Sequence, residues 1–106
     1  MANYLLAYHG GGEMPSTPEA QKASMDAWMS WFGGLGAAVV DGGNPVGGAR
    51  VVGSNGAVSE GGGANPITGY SVLQADSLDA AVQMAKGCPI LAVGGSIQVC
   101  ETFNAM

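Results

Sequence analysis

Basic residues are scarce in this chain: Lys and Arg number three against eight Asp and Glu, with one His, giving a net charge of −5 and an isoelectric point near 4.3. Such a surface repels the phosphate backbone rather than neutralising it, so nucleic acid is not an expected partner. Long apolar runs are missing as well. The stretch Met1 to Tyr8 carries no Lys or Arg before its apolar run, and that run is far shorter than the roughly 18 residues of a membrane span, so a cytoplasmic protein with no membrane association is expected. Only two cysteines occur, Cys88 and Cys100, and a domain of 106 residues needs no disulfide staple; both are read as reduced, structural thiols. Charged residues make up only 10% of the chain and hydrophobic ones 47%, the reverse of a disordered composition.

What the chain has in excess is glycine, 19 residues of 106 where a share of about 7% is usual, so tight turns are frequent. Length alone gives a single domain, 1–106. Asn3 to His9 reads as a first strand, followed by the turn-like run Gly10 to Pro15. Ser16-Thr17-Pro18-Glu19 carries a capping hydroxyl, a proline for the first helical position and an acid for the first turn, so a helix starts here. Ala20, Ala23, Ala27, Trp31 and Leu35 form its inward stripe, and Gly33, Gly34 and Gly36 its stop. Met25, Trp28, Met29 and Phe32 occupy other faces of the same helix, more apolar surface than a water-facing helix leaves bare, which suggests a second contact.

Ala37 to Asp41 reads as a short strand closed by Gly42-Gly43-Asn44-Pro45. A small hairpin follows, Ala49 to Val52 and Ala57 to Ser59 flanking a turn whose Asn55-Gly56 pair favours positive φ. Pro66 to Ala75 is a longer strand. Asp76 or Ser77 caps a second helix with Leu78, Ala81, Val82 and Ala85 inward and Gly87 as its left-handed end, and Ser96 to Phe103 is the last strand. This order predicts an α+β fold: a ferredoxin-like split β-α-β sandwich with a hairpin insertion, both helices on one sheet face. Alternation along the last two main strands leaves the other face largely apolar, so a second copy packed sheet to sheet as a homodimer is expected.

Three segments, Gly69 to Val72 with Ala75 to Ala81, Ala85 to Pro89, and Gly94 to Val99, together closely resemble the YCII-related (DGPF-like) domain family, with agreement in element order over nearly the whole chain. The resemblance implies a dimeric α+β barrel, two ferredoxin-like sheets enclosing a cavity. It also implies a relation to enzymes acting on small cyclic or chlorinated aromatic breakdown products, muconolactone isomerases among the related structures. In certain members an acid ending the first strand and a His on the first helix form the proposed active pair. Here those slots hold His9 and Trp28, and the Asp-Gly-Pro-Phe motif of one branch is replaced by Ser59 to Pro66, so the pair does not transfer.

His9 is the one histidine, a side chain suited to acid or base work near neutral pH, and it ends the first strand beside small residues that let a ligand approach. The parallel relation of the first two strands puts Asp41 and Asn44 toward the same end, where the antiparallel third main strand begins with Thr68 and Tyr70. A His9–Asp41 dyad with Tyr70 as hydrogen-bond donor is therefore the sharpest catalytic proposal, with Trp28, Asn44, Thr68 and Gln98 as ligand-binding candidates. Each has a plainer reading: a bonded surface His, a turn-forming Asp, and aromatics at helical spacing that fill a core. The glycine runs lack the Lys-Ser/Thr of a phosphate loop, and one His with two separated Cys gives no zinc spacing, so neither metal nor cofactor is expected. The functional expectation is a cofactor-free acid–base enzyme of isomerase or lyase type on a small organic acid or lactone; the alternative is a non-catalytic small-ligand-binding or assembly module.

Overall fold

The computed structural model describes residues 1–11 and 16–104; the turn expected over Gly10 to Pro15 lies, from Gly12 onward, outside the described residues. The fold is α+β, with two helices and antiparallel sheets, compatible with a ferredoxin-like arrangement. Its elements are β1 (Ala2–His9), α1 (Pro18–Leu35), β2 (Val39–Asp41), β3 (Arg50–Val52), β4 (Val58–Glu60), β5 (Ile67–Ala75), α2 (Leu78–Ala85) and β6 (Ser96–Glu101). The main sheet runs β2-β5-β1-β6, with β1 antiparallel to both β5 and β6, while among the described residues β3 and β4 pair only with each other.

Alternation along the strands divides the residues between two faces. Tyr4, Leu6 and Tyr8 of β1 share one face with Ser71, Leu73 and Ala75 of β5, and all are buried. Ala81 and Ala85 of α2, Cys88 and Ile90 complete the core, with Trp28, Trp31 and Leu35 of α1 packed against it. Both helices thus cover this face. Leu6 and Leu73 are wholly enclosed, each worth about 1.5–3 kcal/mol of apolar burial. The opposite face carries Leu5, Ala7, Tyr70, Val72, Gln98 and Cys100, and among the described residues no element covers it.

Local chemistry explains the helix starts. The Thr17 hydroxyl accepts the Ala20 N–H at 3.1 Å with Pro18 at the first helical position, and the Ser77 hydroxyl accepts the Ala80 N–H at 3.1 Å. Five expectations need correcting. Ala20, Ala23 and Ala27 are exposed, and the half-buried side of α1 is Ser24, Trp28, Trp31, Phe32 and Leu35. A methyl group buries little, so the helix turns its rings to the core, Trp28 meeting Tyr8 edge-on at 5.3 Å. Helix α1 also passes through Gly33 and Gly34, and Gly36 alone ends it, at φ +58°. Gly87 is not left-handed, because the chain tightens directly into a 3-10 turn at Pro89–Val93, and the left-handed residue is Gly94 at φ +86°. In the hairpin turn only Gly56 takes positive φ, the N–H of Gly56 bonding the Gly53 carbonyl at 2.9 Å. Strand β6 stops at Glu101, since the N–H and hydroxyl of Thr102 both donate to the Asn3 carbonyl at 2.9 Å. Among the described residues no helix is long and apolar enough to cross a membrane.

Candidate functional site

His9 ends β1, level with Ile67 on β5 and Ser96 on β6. Its Nδ1 lies 3.1 Å from the Asn65 carbonyl oxygen and 3.2 Å from that of Pro66. Both neighbours only accept, so Nδ1 must carry the proton and donate. In the neutral ring the lone pair then resides on Nε2, which is screened from water and has no hydrogen-bond partner among the described residues. The tautomer is therefore set by the backbone that enters β5.

Tyr70 and Gln98 flank Ala7 from the two neighbouring strands, on the same uncovered face as His9 two positions further along β1. Half-buried Tyr70 is fixed through its backbone, its N–H reaching the Asn44 carbonyl at 3.3 Å, and Gly43 at φ +72° sits so close that a Cβ there would run into the Tyr70 carbonyl. Only glycine permits this approach. His9, Tyr70 and Gln98 are the candidate residues that the sheet brings onto one face.

The other four stand apart. Thr68 occupies the register shift opposite Tyr8 and His9, and its hydroxyl donates to the carbonyls of Tyr8 at 3.3 Å and Gly10 at 3.1 Å, closing the irregularity. Asn44 lies in an exposed turn whose carbonyl serves Tyr70. Asp41 is level with Val72, five positions along β5 from the partner of His9, or roughly 17 Å along the strand at about 3.4 Å per residue. Its carboxylate accepts the Gly43 N–H at 2.8 Å and shapes the turn, so the register separates the expected dyad. Trp28 packs against Tyr8 on the helix-covered face, with the sheet between it and Tyr70.

Sequence reasoning passed over a polar cluster under α1. The Tyr8 hydroxyl donates to Ser71 Oγ at 2.7 Å and Ser71 Oγ to the Gly42 carbonyl at 2.7 Å, with the Cys88 thiol beside the phenol. Burial raises the Tyr8 phenol above its ordinary range and pushes the Cys88 thiol up to about 11, so both stay neutral near pH 7. The available signal was parity: Tyr8 and Ser71 fall on the covered face of strands that pair there.

Two grooves adjoin these elements. One of about 300 Å³ runs between α2 and β6 past Leu78, Val82, Lys86, Ile97 and Val99; the other, of about 530 Å³, lies among Asn3, Gln74, Thr102 and Phe103. Neither includes His9, Tyr70 or Trp28. Among the described residues no three of His, Cys, Asp and Glu gather as metal ligands would. No protein-family model matches the chain, and no curated protein matches it.

Proposed function

We propose that the chain is a homodimeric, split β-α-β ferredoxin-like protein of the YCII-related kind, whose paired sheets form a small-molecule chamber used for cofactor-free acid–base chemistry. The strand order β2-β5-β1-β6 with both helices on one face supports the ferredoxin-like reading, and the face carrying half-buried Leu5, Val72 and Cys100 supports the pairing. One observation carries the catalytic reading: the Asn65 and Pro66 carbonyls hold the His9 proton on Nδ1, leaving Nε2 as an unpartnered base that a substrate reaches once the groups screening it move aside. In an isomerisation, Nε2 takes a proton from the carbon next to a carbonyl and returns it to another carbon of the resulting enolate; in an elimination, the proton it takes passes to the departing oxygen as the C–O bond to that group breaks. Tyr70 supplies a hydrogen bond to the carbonyl oxygen as negative charge grows there.

The substrate class is a small organic acid or lactone, and a neutral lactone fits the charges better. Lys22 pairs with Asp26 on α1, Arg50 with Glu60 across the hairpin, and Lys86 stands beyond α2, so none of these side chains belongs to the strands that form the uncovered face. His9→Ala should abolish turnover in a screen of small lactones and enol acids, and native mass spectrometry should find a co-purified organic ligand. Unchanged kinetics in that variant would refute the catalytic role.

The same bonds favour a second reading, a non-catalytic module in which His9 fastens the segment entering β5 to the end of β1. In that case His9→Ala lowers stability and leaves any ligand affinity alone.

A further inference from the structure

Among the described residues, the β3–β4 hairpin has no strand partner within its own chain. Every residue from Asn44 to Gly61 is exposed, and Val46, Val51, Val52 and Val58 are 42%, 41%, 68% and 61% exposed. Two strands of three residues make too small a hairpin to be stable alone in water, and valine is costly to leave wet on both of them. The radius of gyration, 15.1 Å, exceeds the roughly 13 Å of a compact chain this long, as a projecting segment requires.

The base of the hairpin is anchored at one end of the uncovered sheet face. The Val46 N–H donates to the Thr68 carbonyl at 3.0 Å on the outgoing side, and His9 Nδ1 donates to Asn65 and Pro66 on the return. Gly47 and Gly48 precede β3 with neither crowding nor positive φ to demand glycine, so they add freedom to the outgoing leg.

The sheet face is too small to hold two copies together unaided. Four strands about 4.8 Å apart and at most nine residues long cover roughly 590 Å² at most, against about 800 Å² per partner in a stable interface. We infer that the β3–β4 hairpin is an arm that crosses to a second copy of the chain, burying its valines against that copy and closing the end of the chamber where His9 and Tyr70 lie. The inference rests on the pairing proposed above. Each leg, about eight residues, reaches roughly 25 Å when extended, enough to cross a sheet about 19 Å wide.

The test is sedimentation equilibrium of the wild type, of a Val52→Ser/Val58→Ser double variant, and of Met29→Ser on the outer side of α1. These side chains are exposed in the protomer, so their replacement leaves its fold intact. The arm predicts a dissociation constant at least tenfold higher in the double variant and unchanged in Met29→Ser. A dimer that the double variant leaves unaltered would overturn the arm while the pairing stands, and weakening confined to Met29→Ser would move the interface to α1 and overturn both. A monomeric wild type removes the pairing and the arm with it. As a second measurement, amide exchange at Val51 and Val52 should slow as protein concentration rises; exchange at the rate of free peptide in concentrated solution would show the arm lying in water.

Discussion

Tyr8 and Ser71 are joined by a 2.7 Å hydrogen bond inside the core, and Ser71 passes the chain of donors on to the Gly42 carbonyl at 2.7 Å. Strands β1 and β5 and the turn after β2 are thereby tied through one hydroxyl. Ser71→Ala should cost about 2 kcal/mol, because it strands a buried phenol and a carbonyl together. In urea unfolding, the double variant with Tyr8→Phe should lose about 1 kcal/mol less than the two single losses combined, and simple additivity would show that the groups act independently.

How much of this was readable in advance depends on parity. Alternation in β1 and β5 is strict enough to assign Tyr4, Leu6, Ser71 and Leu73 to one face, and the caps at Thr17 and Ser77 are local chemistry. The rotation of α1 was not readable, because apolar residues surround that helix and only the fit of Trp28 against Tyr8 decides its angle. The separation of Asp41 from His9 was hidden for a different reason: the register of the three-residue edge strand β2 is fixed by the tight approach of Gly43 to Tyr70 and by the bonds of the following turn, which no hydrophobic pattern reports. Trp28 and His9 belong to opposite faces, which strand parity decides and a likeness of helix positions does not.

Trp31 fixes α1 to the end of α2. Its indole Nε1–H donates to the Met84 carbonyl at 3.0 Å, and the ring lies over Gly87, where a Cβ would approach it to 3.3 Å. Trp31→Phe should lower stability by about 1–2 kcal/mol, a fall of several degrees in Tm for a chain of this size. An unaltered Tm would mean that this contact is idle.

The two thiols should differ in reactivity. Cys88 is buried and its thiol is pushed up to about 11, so a thiol reagent at pH 7.5 should modify it only as fast as the protein opens. Cys100 lies on the uncovered face opposite Leu5, and its labelling should slow as protein concentration rises and copies pair. A Cys100 rate independent of concentration would count against the face-to-face arrangement.

Alkaline pH should destabilise the fold. Cys88 and Tyr8 are neutral when folded and are held above their ordinary values by burial, whereas the unfolded chain ionises its thiol near 9. Their stabilisation is complete below about pH 9 and is lost as pH rises through about 11, the thiol contributing of order 1–2 kcal/mol. Urea midpoints should therefore fall between pH 8 and 10.5, and less steeply in Cys88→Ala; equal slopes in both proteins would show that Cys88 has no part in it.

The pairing of two copies through the face that carries His9, Tyr70 and Gln98 is tested most directly by sedimentation equilibrium of the unmodified protein at micromolar concentration. The account predicts a particle of twice the 10.5 kDa chain mass. A particle of 10.5 kDa that stays monodisperse across that range would contradict it.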